Sequence, residues 1–286
     1  MPSDPHARLQ PGQTTAGYRL IRRIGQGAHG AVYLAQDPRG VLTVALKVVT
    51  LPSGGLAPAA RDAFLRNAHA ARRLSHPDIV ALYAAGVDGT LGWLAMEPVA
   101  GCDLTRYTRP LRLLPEPLVL RVCQRVAQAL AYAHRQGVVH RDVKPANVLT
   151  DWPRDLVKLA DFGLARADDG VQTGTGTVPG SPAYMAPELL AGAVPTPRSD
   201  LYAVGVMLFQ LLTGRLPYEG ASMGEWLRQV ADQPVPDLRL LRPDLPVGVA
   251  ALCTHLLAKR PAERPADGDA VAREMAALLT AWPAAC

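Results

Sequence analysis

The chain has 286 residues, of which 49% are hydrophobic and 19% charged, so it can bury a core and is not intrinsically disordered. Its 30 basic and 25 acidic side chains give a formal charge of +5, and no Lys/Arg block concentrates this excess, so no nucleic-acid partner is expected. The four cysteines are scattered without a C-x-x-C pair, which excludes a zinc or disulfide framework and favours a cytoplasmic location.

Neither a membrane segment nor a signal peptide is expected from the sequence. The most apolar stretch, residues 201–209, is too short to span a bilayer, which takes at least about 18 apolar residues. Residues 1–16 are polar and Pro-rich, which is not typical of a signal peptide and predicts a flexible tail.

The apolar pattern changes character along the chain. Residues 18–98 carry short strand-like runs, interrupted by a Pro/Gly/Ala loop over 51–60 and a helical stretch over 61–74. Later residues show mostly helical spacing, and helices are predicted over 118–134, 200–212 and 267–280. The pattern predicts a small β-rich lobe followed by a larger α-rich lobe.

A glycine-rich motif lies near the start of the strand-like region. Gly25, Gly27 and Gly30 form G-x-G-x-x-G, which on its own fits a dinucleotide fingerprint, a kinase loop or an ordinary turn. The residues that follow, 31–35, are β-branched and aromatic, so the glycines are expected at the tip of a hairpin rather than before a helix. Lys47 ends an apolar V-A-L-K strand and is expected to face a ligand or a carboxylate, the alternative being a lysine that extends from a strand edge to solvent.

The segment 139–148 contains several charged and polar residues between apolar ones. It reads V-H-R-D-V-K-P-A-N-V, and Asp161-Phe-Gly follows it. With these motifs the sequence resembles a eukaryotic-type Ser/Thr protein kinase of the bacterial kind, over residues 18–278. The family motifs occur in order and include Ala186-Pro-Glu and the apolar helix beginning at Asp200. The alternative, a charged surface loop with a core histidine, does not account for the whole set.

The resemblance implies an α+β, two-lobed kinase fold. It places an N-lobe at 17–98 and a C-lobe at 99–286, as one catalytic domain over 17–280. It also implies an ATP-dependent enzyme that phosphorylates Ser/Thr hydroxyls of proteins, with Mg²⁺ or alternatively Mn²⁺ as the metal ion. Protein substrates, and self-association for trans-autophosphorylation, are the expected partners.

The resemblance assigns roles to individual residues. Asp142 would orient the substrate hydroxyl and accept its proton, Lys144 would offset charge on the transferring phosphoryl group, and Asn147 and Asp161 would hold the metal. The structural residues it implies are a Glu188–Arg264 pair and Asp200, which would hold the backbone of the catalytic loop. Its nucleotide-binding residues are Ile24, Gly25, Gly27, Gly30, Val32, Ala45, Lys47, Met96, Glu97, Val99 and Asp103.

Within that set, Met96 falls at the gatekeeper position. The Glu97 carbonyl and the Val99 amide would face adenine, and Asp103 would bind ribose. For Asp103 the alternative is a solvated turn residue, since a single aspartate after a strand is a weak signal.

Regulation is expected on the segment between Gly163 and Ala186. A buried cation at Arg141 would bind a phosphate there, and Thr173 and Thr175 lie where related bacterial kinases phosphorylate themselves. Ser181 occupies the position of the usual threonine whose hydroxyl bridges Asp142 and Lys144. The alternative is that these hydroxyl residues belong to a solvated loop.

One position departs from the family pattern. Aligning residues 64–68 with the usual F-x-R-E-A motif places Asn67 where the family has the glutamate that pairs with the lysine. At 100° per residue, Asn67 lies about 60° from Phe64 on the inward side, whereas Asp62 lies about 160° away and should face solvent. Two hypotheses remain: an active kinase with a weakened lysine clamp, or a pseudokinase scaffold that binds nucleotide. Small-molecule phosphotransfer is disfavoured, because Ala186-Pro-Glu forms a platform for protein substrates in the family.

Overall fold

The computed structural model describes residues 9–27, 30–52, 54, 57–162 and 182–282. Within these residues the chain forms two compact units, the first ending at Ala100 and the second beginning at Gly101. Among the helices in these ranges, none combines the length and apolar composition needed to cross a membrane.

The first unit is an antiparallel sheet with one helix. The sheet has six strands in the order β1-β2-β3-β4-β6-β5. Its elements are β1 (Thr14–Thr15), β2 (Tyr18–Gly27), β3 (Gly30–Gln36), β4 (Thr43–Thr50), α1 (Ala57–Arg72), β5 (Leu82–Asp88) and β6 (Leu91–Met96).

The two faces of this sheet have different surroundings. Tyr33, Leu46 and Ala95 are fully buried and belong to the apolar cluster on one face. Strand residues alternate between faces, so the neighbouring positions point the opposite way. On that opposite face helix α1 packs, because a Cβ at Gly92 would lie 2.9 Å from the Phe64 ring.

The second unit is mainly helical. Its strands β7 (Cys102–Asp103), β8 (Val148–Asp151) and β9 (Leu156–Leu159) form a three-stranded antiparallel sheet. Its helices are α2 (Glu116–Arg135), α3 (Pro187–Leu190), α4 (Pro197–Thr213), α5 (Met223–Asp232), α6 (Leu238–Leu241), α7 (Val247–Leu256) and α8 (Gly268–Thr280).

Helix α4 is the core of this unit. Its residues from Ser199 to Phe209 are all buried, as its nearly continuous apolar sequence predicts. The helix starts at a capping box between Thr196 and Ser199, and it ends at Gly214 in the left-handed region. Helices α2 and α7 pack on it. The predicted α+β class, with a β-rich first part and a helical second part, is confirmed.

The start of α1 differs from the sequence expectation. A loop over 51–60 and a helix from 61 were expected, whereas the helix begins at Ala57 and ends at Arg72. Pro58 does not prevent this, because a proline in the first turn lacks only an N–H that has no helical partner there. The alanines around it have the highest helix propensity, so the expected loop is wrong over its last four positions.

Candidate active site

A buried carboxylate accepts hydrogen bonds from the backbone of the loop between α2 and β8. Asp200, at the start of α4, is 1% exposed, and its Oδ1 accepts from Arg141 N while Oδ2 accepts from His140 N, both at 2.8 Å. Oδ2 also contacts Nε2 of His134 on α2 at 2.8 Å. Arg141 has φ +73, and these bonds to its own and the preceding peptide hold that uncommon conformation.

His140 links the loop to the segment after β9. Its ring is fully buried, with Nε2 2.8 Å from the Ala160 carbonyl and Nδ1 accepting from Asp142 N at 3.2 Å. This pattern assigns the proton to Nε2. The ring also packs edge-on against Phe162, with centroids 4.5 Å apart. Residues on both sides of the site are therefore fixed by one side chain.

The loop that Asp200 and His140 hold carries the carboxylate of Asp142. Lys144 Nζ lies 2.7 Å from its Oδ2, and Asn147 Nδ2 donates to the same oxygen at 3.0 Å and to the Asp142 carbonyl at 2.7 Å. The Asp142 side chain is 29% exposed. Among the described residues, both contacts to the carboxylate involve Oδ2, so Oδ1 is the oxygen that can accept from an incoming hydroxyl.

Asn147 and Asp161 lie next to each other. The backbone N–H of Ala160 donates to the Asn147 carbonyl at 2.8 Å, which places the following residue, Asp161, beside the loop. Asp161 also has a left-handed backbone, with φ +65. Within the described residues, both hydrogen bonds of the Asn147 side chain use its nitrogen, so its amide oxygen is available as a ligand atom.

This donor set fits a magnesium ion. One carboxylate and one amide oxygen are hard ligands, and Mg²⁺ in phosphoryl-transfer sites takes most of its other ligands from phosphates and water. In the part of the chain that the structure describes, no group of three or more His, Cys, Asp or Glu residues could hold a metal. A site with two protein ligands is compatible with that finding.

In the first unit, the expected nucleotide residues share one sheet face. Lys47 on β4 lies opposite Val32 on β3 and Leu94 on β6, and Ala45 lies opposite Met96. Directly opposed residues in an antiparallel ladder point to the same side, which is the α1 side of the sheet. Lys47 is half-buried, whereas Ala45 and Met96 are buried.

The end of the glycine-rich loop requires a glycine. Gly30 has φ +147, and a Cβ there would lie 2.1 Å from the Val48 carbonyl oxygen. Gly25 and Gly27 lie on β2 opposite Val32 and Gly30, so the motif forms a hairpin. Ile24, just before it, is 42% exposed.

The remaining expected nucleotide residues lie around the end of the first unit and the start of the second. Glu97 pairs with Ala81 through its backbone N–H at 2.9 Å, and its carboxylate accepts from Ala81 N at 3.2 Å. Val99 is half-buried. In the second unit, Asp103 accepts from Thr105 N at 2.9 Å and from the Thr105 hydroxyl, so it caps a short 3₁₀ helix.

Asn67 lies on the part of α1 that the alignment requires. It is half-buried between the buried Phe64 and Ala68, while Asp62 is exposed. Asp62 is the only acidic residue of α1. The inward face of this helix therefore carries an amide where the resembled family has a carboxylate.

Glu188 and Arg264 form a nearly buried ion pair. Arg264 Nη1 and Nη2 donate to the two carboxylate oxygens at 2.7 Å each, and Ser199 Oγ donates to Oε1 at 2.9 Å. Burial alone would raise the pKa of Glu188, but the hydrogen bonds and charge of Arg264 outweigh it and lower the pKa below 4.5. Arg264 also bonds the carbonyls of Ala258, Arg198 and Lys259.

One regulatory expectation needs correction. Arg141 was expected to be a buried cation, but the residue is exposed, and the buried Asp200 binds its backbone N–H. Thr173, Thr175 and Ser181 lie outside the described residues.

His134 is a site residue that was not predicted from the sequence. Its ring is 8% exposed and its Nε2 contacts Asp200, while Nδ1 has no hydrogen-bond partner among the described residues. Val126 and Leu130, eight and four positions earlier on α2, are buried. That i, i+4, i+8 spacing was a signal that His134 faces the core and needs a polar partner there.

Comparisons with known proteins agree with this geometry. A family model described as a protein kinase domain matches residues 18–276. The chain is 35% identical over 278 residues to the probable serine/threonine-protein kinase pknA2 of Bifidobacterium longum, covering 96% of this chain and 37% of that protein. It is 40% identical over 276 residues to the serine/threonine-protein kinase pkn3 of Myxococcus xanthus, covering 91% of this chain and 50% of that protein. The chain thus spans no more than half the length of these two relatives.

Solved structures give the same family. The kinase domain of Mycobacterium tuberculosis PknI, solved as a point mutant, is 34% identical with a TM-score of 0.75, over 94% of this chain and 98% of that one. Rad53 residues 1–466 in complex with AMP-PNP is 26% identical with a TM-score of 0.74, over 90% of this chain and 64% of that one. With a family model matching most of its length and a kinase domain related from end to end, the chain belongs to the protein kinase domain family.

Proposed function

We propose that the chain is an active Ser/Thr protein kinase that transfers the γ-phosphoryl group of ATP to protein hydroxyls. The observation that carries the proposal is the Asp142 carboxylate, which Lys144 and Asn147 hold through Oδ2 while the side chain stays open to solvent. The names of the curated relatives support it, since both are serine/threonine-protein kinases.

The residues of the catalytic loop would act on the substrate hydroxyl. Asp142 would orient the hydroxyl and accept its proton as the oxygen bonds to the γ-phosphorus and the bond from that phosphorus to the bridging oxygen of ATP breaks. Lys144 would offset negative charge on the transferring group. Because His140 and Asp200 fix the loop backbone, Asp142 would not need to reorganise during the reaction.

Nucleotide binding would use the residues that the resemblance assigns to it. Lys47 would contact the phosphates, and Val32, Ala45 and Met96 share its sheet face and would provide an apolar surface for adenine. The solved Rad53 relative is in complex with AMP-PNP, which supports ATP as the ligand. Asn147 and Asp161 would hold Mg²⁺ or Mn²⁺, and the bound ion would neutralise charge on the phosphates.

The pseudokinase alternative gains no support from the comparisons, because the relatives are named as kinases. Self-association for trans-autophosphorylation remains a proposal. We also propose a cytoplasmic location, which the unpaired cysteines Cys102, Cys123 and Cys253 favour, since secreted proteins usually pair theirs.

Magnesium-dependent ATP binding should stabilise the fold. At a hundredfold excess of nucleotide over its Kd, the stabilisation expected from mass action is about 2.7 kcal/mol. Thermal melts with ATP, with Mg²⁺, with both and with neither would measure it. Asp161→Asn should remove most of the metal-dependent part, and Asp88→Asn, at the exposed end of β5, should change nothing. An absence of any shift with ATP and Mg²⁺ together would contradict nucleotide binding.

Restoring a carboxylate on α1 should increase activity. Asn67 can offer Lys47 one neutral acceptor, and replacing a charge-assisted bond by a neutral one costs about 1–2 kcal/mol. Asn67→Glu should therefore raise kcat several-fold with little change in ATP affinity, as steady-state kinetics would show. Asp62→Glu, on the exposed face of the same helix, is the matched control. An unchanged kcat in the Asn67 variant would mean that the alignment at this helix is wrong.

Phosphorylation is expected on Thr173 or Thr175. A phosphate there can bind the Arg141 guanidinium, which is exposed and so accessible to it. Mass spectrometry of freshly expressed protein should find that phosphate, and a Thr173→Ala/Thr175→Ala variant should lose turnover. Phosphate found only within residues 1–16, or a fully active double variant, would contradict this mechanism.

A further inference from the structure

A group of exposed arginines lies at the start of the second unit. Residues 104–121 contain four arginines and one carboxylate, Glu116. Arg106, Arg109 and Arg112 follow each other at intervals of three and are all exposed, and Leu111 between them is 97% exposed. The charge of the chain is spread out along the sequence, but here three exposed arginines and an exposed leucine occur within seven positions.

A fourth arginine lies beside them. Gly214, in the left-handed region at the end of α4, contacts Pro110 so closely that a Cβ would lie 2.6 Å from the proline ring. Arg215 is the next residue and is exposed. The contact therefore brings the backbone at Arg215 close to the backbone at Arg109. We call Arg106, Arg109, Arg112 and Arg215 the arginine platform.

The platform is built on fixed backbone. Leu104, two residues before Arg106, is fully buried, and the Tyr107 hydroxyl accepts from Trp152 Nε1 at 2.8 Å. The 3₁₀ helix Leu104–Tyr107 packs against the segment Pro145–Asn147 of the catalytic loop. The Arg106 end of the platform therefore lies close to the loop that carries Asp142.

The carboxylates near the platform are already engaged. Glu116 binds Arg242, which also bonds Asp244 at 2.6 Å and the Leu212 carbonyl at 2.7 Å. Asp103 bonds Thr105. No ion pair is formed by any of the four platform arginines within the described residues. Exposed cations without local partners attract anions from solution.

We infer that the arginine platform docks an acidic segment of the protein substrate. The inference rests on the proposed kinase function and names the class of substrate that the enzyme would prefer. Charge complementarity favours an acidic occupant. Because part of the platform packs against the catalytic loop, a polypeptide bound there can place one of its own hydroxyl groups at Asp142. The exposed Leu111 adds an apolar contact that a polypeptide side chain can use. The acidic segment increases the residence of the substrate and takes no part in the chemistry.

The test compares binding with catalysis on synthetic peptides. Three peptides share one central threonine: one has four glutamates before it, one has four glutamates after it, and one has glutamines at both sets of positions. Versions with alanine for threonine, labelled with a fluorophore, report binding by anisotropy without phosphoryl transfer. The variants are Arg109→Gln/Arg112→Gln and, as a control with the same charge change, Arg228→Gln/Arg273→Gln on exposed parts of α5 and α8.

We expect the wild type to bind one of the glutamate peptides more tightly than the glutamine peptide. The platform variant should lose roughly three- to thirtyfold in affinity for it, since each exposed ion pair contributes modestly, and the control variant should keep its affinity. Raising the salt concentration should reduce the wild-type preference. In kinetic assays on the same peptide, kcat/KM of the platform variant should fall by the same factor, because KM rises while kcat is unchanged.

Three results would overturn the inference. One is equal binding of glutamate and glutamine peptides by the wild type, and another is equal loss in the platform and control variants. The third is tighter, platform-dependent binding of a DNA oligonucleotide of equal charge. Platform-dependent peptide binding without phosphorylation of any peptide or of the protein itself would instead contradict the kinase function, and it would remove the substrate assignment with it.

Discussion

Replacing Asp142 by asparagine should lower kcat for phosphoryl transfer by roughly 10²–10⁴-fold, the range that a positioned general base contributes. Asparagine keeps the shape of the side chain and can still accept from Lys144 and Asn147 through its amide oxygen. It cannot take up the proton of the substrate hydroxyl, and it loses the negative charge that orients this group. The expected defect is therefore in turnover, with nucleotide affinity and thermal stability close to those of the wild type.

Single-turnover transfer from radiolabelled ATP measures this defect directly. The matched control is Asp88→Asn, which makes the same chemical change at the exposed end of β5 in the first unit and should keep full activity. A variant that retained more than a tenth of the wild-type rate would contradict the role of Asp142. Loss of the magnesium-dependent thermal shift in the Asp142 variant would point to a binding defect instead.

The fold followed from local sequence signals where those signals were unambiguous. The apolar residues of α4 and the G-x-G-x-x-G hairpin predicted a buried helix and a β-turn-β unit, and both are present. The start of α1 was misjudged because a Pro/Gly/Ala run has loop composition, although proline is compatible with a first helical turn. Short elements such as β7 and α6 have too few residues for any periodicity to show.

For the site, the sequence predicted the roles of individual residues but not their contacts or their exposure. The resemblance assigned roles to Asp142, Lys144 and Asn147, but it did not show that Lys144 and Asn147 both contact Oδ2 of the Asp142 carboxylate. The exposure of Arg141 was misjudged, because its position directly before Asp142 in the resembled motif was taken to imply a buried cation. The arginine platform was missed, because it joins residues 106–112 to Arg215 through a tertiary contact that no local pattern records.

Removing Arg264 should cause the largest loss of stability. Its guanidinium is fully buried, and Arg264→Met would leave the Glu188 carboxylate and three carbonyls without their donor. Breaking a buried pair by removing one partner costs about 3–5 kcal/mol. For a domain of this size that corresponds to a melting temperature lower by roughly 6–20 °C. Denaturant titration and thermal melts at neutral pH would measure both quantities.

A control variant and the pH dependence of stability distinguish the Glu188–Arg264 pair from an ion pair on the surface. Arg260→Met breaks the Arg260–Glu263 contact, in which the arginine is 81% exposed, and should cost less than about 1 kcal/mol. The lowered pKa of Glu188 means that its contribution is fully present above pH 4.5 and is lost as the pH falls through the folded-state pKa. Without Arg264, burial should raise the pKa of Glu188 above 4.5, so the variant gains stability as the pH falls through that raised value. The difference in free energy of unfolding between the wild type and Arg264→Met should therefore become smaller at acidic pH. A difference that does not change with pH would show that the loss of stability comes from the unbonded carbonyls and from packing, and not from the ion pair.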